Sequence, residues 1–168
     1  VREGRADLIP AAGVTESMEK EFLFSSDILS VPVSIFTRNT STEILSLSDL
    51  VSRPVGVTKG SIAARRLGNE KLSRVIGFDD LETALFALLA GRVDAVVFPE
   101  PVMWQKARDI DVERRLRLAG QPIFELKRSF LFAMKKKELL DRLEPFIAAH
   151  VKTEDYRQQY EKWYAKPT

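Results

Sequence analysis

Apolar positions along the chain switch between two periods. Val31, Val33 and Ile35 alternate with Pro32, Ser34 and Phe36, the period of a strand. Leu81, Ala84, Leu85, Leu88 and Leu89 recur at the spacing of one helix face, after Asp79 or Asp80 as cap and before Gly91. Pro54 to Thr58 and Arg74 to Phe78 read as short strands. A helix opens at Ile62 between them and is ended by Gly68-Asn69. The polar stretch from Thr37 to Thr42 leads to a short helix around Leu47 to Val51. Val93 to Val97 is a near-continuous apolar run, the mark of a strand covered on both faces. A helix follows from Pro99 to about Asp109, with proline in its first turn. Leu116 to Ala119 and Ser129 to Met134 are predicted strands. A helix from about Glu138 to Val151 places Leu139, Leu143, Phe146, Ile147 and His150 on one face, and a last helix carries Tyr156, Tyr160, Trp163 and Tyr164. Strands alternating with helices predict an α/β fold with mostly parallel sheets flanked by helices.

An internal echo divides the chain. Gly4-Arg5-Ala6-Asp7-Leu8-Ile9 is repeated in kind by Gly91-Arg92-Val93-Asp94-Ala95-Val96. Each copy reads as a helix end, a turn and an apolar strand, and two copies half a chain apart predict two similarly built lobes. No helical stretch stands ahead of Gly4, so the chain reads as beginning inside its first lobe.

Composition narrows the chemistry. Among 168 residues, Lys and Arg number 26 and Asp and Glu 24, a net charge of +2 without a concentrated basic face. That balance argues against a nucleic-acid partner. There is no Cys and a single His, His150, so thiolate or His-rich metal sites are excluded, and neither a metal nor a cofactor is expected. Phosphate-loop, dinucleotide and nucleophile-elbow motifs are all missing. No run approaches the ~18 apolar residues of a membrane span. Arg2, Glu3, Arg5 and Asp7 stand where a leader peptide would be apolar.

Three segments carry candidate binding chemistry. Lys59-Gly60-Ser61-Ile62 joins a strand to a helix start, where backbone N–H groups favour an anion; a plain capped turn is the alternative. Ala11-Ala12-Gly13-Val14-Thr15 follows the first strand, with Thr15 as an ordinary helix cap ahead of Met18. Glu100, in Phe98-Pro99-Glu100-Pro101, faces a cation or amine, or else simply complements a helix dipole. His150 and the Tyr156/Tyr160/Trp163/Tyr164 stripe read as packing residues. Arg114-Arg115-Leu116-Arg117 and Lys135-Lys136-Lys137 read as solvated, and Asp7 and Asp94 as turn residues.

The ordered set resembles the type II periplasmic solute-binding proteins, in the family-3 (polar amino acid) group. It runs from the first Gly-Arg-x-Asp turn through Thr15, Phe24-Ser25 and strand 31–36 to Leu47-x-Asp49-Leu50. It continues through Val55-Gly56-Val57-x-Lys59-Gly60-Ser61 and then Phe78-Asp79-x-Leu81-Glu82-x-Ala84-Leu85, followed by Ala87-Leu88 and Gly91-Arg92-Val93-Asp94-Ala95-Val96-Val97. It closes with Phe132-Ala133-Met134-Lys135-Lys136, Leu139-Leu140 and Tyr160-x-Lys162-Trp163.

The resemblance implies a two-lobed type II fold, with residues 1–36 and 128–168 in lobe one and 37–127 in lobe two. Its opening βαβ portion has no counterpart here, which implies an incomplete first lobe. It implies a non-catalytic, periplasmic or extracytoplasmic domain that closes by hinge motion on a small anionic or carboxylate-bearing solute. Ala11, Gly13, Thr15 and Met18 would line lobe one, Gly60, Ser61 and Ile62 would contribute from lobe two, and Glu100 would stand at the rim. The partner would be a membrane transporter or the output module of a signalling receptor.

The pocket departs from the family pattern. The clamping Arg, three residues after Thr, is Met18 here, and the amine-binding Asp is Pro99, with Glu100 adjacent. The family's Phe-Ser-x-Pro-Tyr stretch is Phe24-Ser25-Ser26-Asp27-Ile28. Losing a bidentate Arg removes ~1.5–3 kcal/mol of charge-assisted contact, so a standard α-amino acid is not the expected ligand. Two other readings stay open. One is a dehydratase-like enzyme on the same scaffold, with Glu100 or a Lys as acid or base. The other is a degenerate domain used for protein association, including a homodimer through exposed strand edges.

Overall fold

A computed structural model describes residues 1, 3–70, 72 and 74–164. Its elements run β1 (Leu8–Gly13), α1 (Glu16–Glu19), β2 (Phe22–Phe24), β3 (Leu29–Arg38), β4 (Pro54–Thr58), α2 (Ile62–Leu67), β5 (Arg74–Phe78) and α3 (Leu81–Leu89). They continue with β6 (Ala95–Pro99), α4 (Glu100–Asp109), β7 (Leu116–Ala133), α5 (Lys137–His150) and α6 (Glu154–Tyr164). Single turns of 3₁₀ helix lie at Leu47–Leu50, Glu113–Arg115 and Met134–Lys136. This is the α/β class that the sequence pattern predicts, but the sheets are not mostly parallel: β1–β7, β2–β7 and β3–β6 pair antiparallel, and β4–β5 and β4–β6 pair parallel. The chain divides into two compact units, one made of Val1–Val31 and the stretch beginning at Glu125, the other of Pro32–Phe124. Residues 165–168, part of the lobe-one span read from the sequence, lie outside the described residues.

The second unit has strand order β3–β6–β4–β5. Pairing is parallel for β4–β5 and β4–β6 and antiparallel for β3–β6. The parallel pairs are those joined through helices, as connection geometry requires. β3 enters the unit without following one of its helices, and it runs the other way. Its core gathers Phe36, Leu81, Ala84, Leu85, Leu88, Val96, Met103 and Trp104, all buried. The Phe36 and Trp104 rings meet edge to face at 5.2 Å and 74°, an arrangement adding about 0.5–1.5 kcal/mol beyond burial. Asp80 caps α3 by accepting from the Thr83 N–H at 2.7 Å, and this bond holds its carboxyl below the usual range.

The second Gly-Arg-x-Asp turn is fastened by a residue outside it. Arg38, at the end of β3, donates through Nη1 to the Leu88 and Val93 carbonyls at 2.8 and 3.0 Å. Its Nη2 lies 3.2 Å from Asp94 Oδ1, and Arg53 Nη1 lies 3.8 Å from Asp94 Oδ2. Arg117, read as solvated, instead donates to the carbonyls of Ser41 and Ile44.

In the first unit, β7 is the middle strand. β1 pairs with it antiparallel, Leu8 opposite Phe132 and Gly13 opposite Arg128, and β2 pairs antiparallel with Phe22 opposite Ala133. The register of β1 shifts between Ile9 and Ala12, where Ala11 takes a φ of 53°. Such a bulge inserts a residue and turns the strand locally. Leu131 and Phe132 are buried. The Ser26 N–H donates to both Glu144 carboxylate oxygens at 3.0 and 3.1 Å, tying the segment after β2 to α5.

Two further readings need correction, and one element, β2, goes unread in the sequence. Leu116–Ala133 is one strand rather than two. Its middle, Gly120-Gln121-Pro122, is exposed, so no apolar alternation marks it as strand. β2 has only three residues, too few to show a period. The helix after Thr15 is a single turn, Glu16–Glu19.

Gly120 has a φ of +74°, and a Cβ there would stand 2.1 Å from the Leu45 carbonyl oxygen. Gly60 has a φ of +69° with nothing within 4 Å of the same position. Gly60→Ala is expected to cost only the left-handed penalty, about 1–2 kcal/mol. Gly120→Ala is expected to cost clearly more. Urea midpoints of the two variants check this, and equal losses would reject it.

Candidate functional site

The first unit brings several predicted residues together at the end of β1. Ala11 sits exposed at the bulge, and Gly13 ends the strand. Thr15 caps α1, its Oγ1 accepting from the Met18 N–H at 3.3 Å. Met18 itself lines a cavity of about 360 Å³ with Ile9, Phe22 and Leu131, which Glu3 and Arg5 also line. It therefore packs against apolar neighbours on β1, β2 and β7.

Arg128 is a residue that sequence reading passed over. It lies opposite Gly13 in the β1–β7 register, and its Nη1 is 3.1 Å from the point a Gly13 Cβ would occupy. Next to it on β7, Lys127 Nζ pairs with Asp27 Oδ2 at 2.9 Å, and the Ser129 hydroxyl donates to Asp27 Oδ1 at 3.1 Å. The hydrogen bond to Asp27 raises the Lys127 ammonium pKa. A signal for Arg128 existed only as one more charge in an unassigned stretch, because the pairing with Gly13 spans more than a hundred residues.

In the second unit, two candidate segments share one sheet end. β4 and β6 are parallel neighbours, so the turn after Thr58 and the junction after Pro99 emerge on the same side. Carboxyl ends of parallel strands are where open α/β sheets present ligand sites. Gly60 takes its left-handed turn there, and Lys59 Nζ pairs with Asp79 at 2.7 Å. Ser61 caps α2, its Oγ accepting from the Ala64 N–H at 3.0 Å, and Ile62 opens the helix. α2 has only six residues, which gives the expected dipole contribution little length.

Glu100 is not at a rim. It is 2% exposed at the start of α4, and its Oε1 accepts from the Ser34 hydroxyl on β3 at 2.5 Å. A buried carboxylate needs such donors to offset its desolvation. The sequence pattern could not show this, because Ser34 reads as an outward position of an alternating strand.

The first unit also carries an apolar groove of about 510 Å³, lined among others by Ile28, Phe130, Phe146, His150, Tyr156 and Trp163. Tyr156 anchors α6 by donating to the Ile28 carbonyl, and burial pushes its phenol pKa up. Phe146 and Trp163 remain 74% and 68% exposed, so the aromatic stripe is only partly packed. His150 is exposed too, with its ring edge-on to Tyr156 at 6.0 Å.

The sequence matches the model of bacterial extracellular solute-binding proteins, family 3, over residues 1–166. The chain belongs to that family. It is similar to the GluR0 ligand-binding core from Nostoc punctiforme, solved with L-glutamate. The two share 25% identity over 99% of this chain and 76% of that one, at a TM-score of 0.74. An ancestral cationic amino acid solute-binding protein is 22% identical over 97% and 71% of the two chains, with a TM-score of 0.79. An amino acid ABC transporter substrate-binding protein from Streptococcus pneumoniae, bound to L-arginine, is 22% identical over 98% and 70%, with a TM-score of 0.75. The last two likenesses establish the fold alone. Comparison with curated protein sequences finds no match. Among the described residues no helix of this family member is long and apolar enough to cross a membrane.

Ser34→Ala would leave the buried Glu100 carboxylate short of a donor and is expected to destabilise the protein by about 1–3 kcal/mol. Chemical denaturation reads this directly. A change within about 0.5 kcal/mol, the range of an ordinary surface substitution, would reject it.

Proposed function

We propose that this family member is a non-catalytic extracytoplasmic domain that captures a small carboxylate-bearing solute. It would serve either as the sensor domain of a membrane receptor or as the binding component of a transporter. The observation that carries the reading is the family match along almost the whole chain, residues 1–166. The L-glutamate held by the 25% identical neighbour supports a carboxylate-bearing solute. The proposed binding residues are Ala11, Gly13, Thr15 and Met18 in the first unit and Gly60, Ser61, Ile62 and Glu100 in the second. Of these, Gly13 and Thr15 stand beside Arg128 or cap the adjoining turn, and Gly60 and Ser61 stand at the carboxyl end of β4. Within this set, Met18 and Glu100 would support the site rather than touch the solute, Met18 through packing and Glu100 through its bond to Ser34 on β3. The two units correspond to the lobes of the family. Hinge motion is assigned to β3 and β7, the strands in which the chain passes from one unit to the other.

A thermal-shift series with L-glutamate, L-arginine and succinate tests the reading. A probe at about 100 times its Kd adds ~2.7 kcal/mol to stability. The expected result is a shift with at least one of the three, abolished by Ser61→Trp. No shift with any of them would overturn the proposal.

A further inference from the structure

Arg128 is a cation in an unusual setting. Its side chain is half-buried, and among the described residues its guanidinium has no carboxylate partner. Asp27, the acid held by its two strand neighbours, is already engaged, because Lys127 and Ser129 between them hold both of its oxygens. Alternation along β7 turns Arg128 to the face opposite these two neighbours, so Asp27 does not serve it. A guanidinium partly withdrawn from water and left without an anion loses hydration without recovering a charge-assisted bond.

The opposite strand makes room for it. Gly13 is the cross-strand partner, and Arg128 Nη1 lies 3.1 Å from where a Cβ at 13 would be. A side chain at 13 would therefore push the guanidinium away. With glycine there, the planar fork lies over the end of β1, one residue from the Val14-Thr15 turn. A fork of fixed N–H donors matches a carboxylate through two parallel bonds, which an ammonium cannot do.

We propose that Arg128 is a ligand-binding residue whose guanidinium, over Gly13, takes the carboxylate of the captured solute. The inference rests on the solute-binding reading above and adds to it the group that recognises the anion. It also supplies a cation where the clamping position after Thr15 is Met18, which packs against Ile9 and Leu131.

Titration calorimetry of the whole chain with L-glutamate, L-arginine and succinate tests the assignment, using wild type, Arg128→Gln and Arg128→Lys. Whichever probes the wild type binds, Arg128→Gln is expected to weaken them about 10- to 100-fold, the loss of one charge-assisted contact. Arg128→Lys is expected to fall between the two, keeping the charge but not the fork. Equal binding by wild type and Arg128→Gln would overturn the role of Arg128 and leave the solute-binding reading standing. Binding of none of the three probes by the wild type would overturn both. Should the variants fail to fold, the Arg128 side-chain Nε–H resonance of the wild type is followed during a succinate titration. A saturable shift supports the assignment, and an unmoved resonance rejects it.

Discussion

The Arg38 guanidinium ties together three groups at the passage from α3 into β6, and the backbone around them is braced by it. At the end of α3 the Leu88 carbonyl accepts from the Gly91 N–H at 3.1 Å and also from Arg38. Arg38 takes that carbonyl, the Val93 carbonyl and the Asp94 carboxylate at once. Two nitrogens of one planar fork share the task, Nη1 on the two carbonyls and Nη2 on the carboxylate. The result locks the passage from α3 into β6 against the end of β3. The start of β6 sets its register with β4, and that register brings the Pro99–Glu100 junction beside the Gly60 turn. Arg38 thus braces the segment that feeds β6 without touching any of the second unit's candidate residues.

Glu100 shows how the same unit converts a polar residue into scaffold. A carboxylate buried this deeply is costly unless donors surround it. The Ser34 hydroxyl supplies one from β3, the strand that leads in from the other unit. The bond therefore joins the start of α4 to β3. In the first unit the contrast is sharp. Asp27 is satisfied twice, by Lys127 and Ser129, while the guanidinium between those residues faces the other way over Gly13. Charge is balanced on one face of β7 and left open on the other.

Much of the local structure was legible residue by residue. β4 and β5 have the limits that the apolar runs and flanking turns indicate, and α3 carries its apolar face behind the Asp80 cap. These elements are short, regular and bounded by Gly, Pro or capping residues, so local pattern suffices. β7 was legible only at its ends. Its exposed Gly120-Gln121-Pro122 middle buries nothing and so carries no period. β2 was illegible because three residues are held as strand by pairing with β7 rather than by their own preference. In the candidate site, the Gly60-Ser61 turn and the Thr15 cap could be read from spacing, since each is a contact between residues no more than three apart.

The sequence by itself determined the α/β class, the helix caps, the turn glycines and the membership of a solute-binding family. All of these rest on interactions within a few residues or on an ordered string of them. The tertiary structure alone decided which charges are spent and which are open. Arg38 reaches Asp94, Ser34 reaches Glu100 and Arg128 lies over Gly13 across separations of 56, 66 and more than a hundred residues. Pairings at such range are set by strand register and by the packing of buried side chains. Hydrophobic period specifies which face of an element is buried. It does not specify which distant polar group will meet it there.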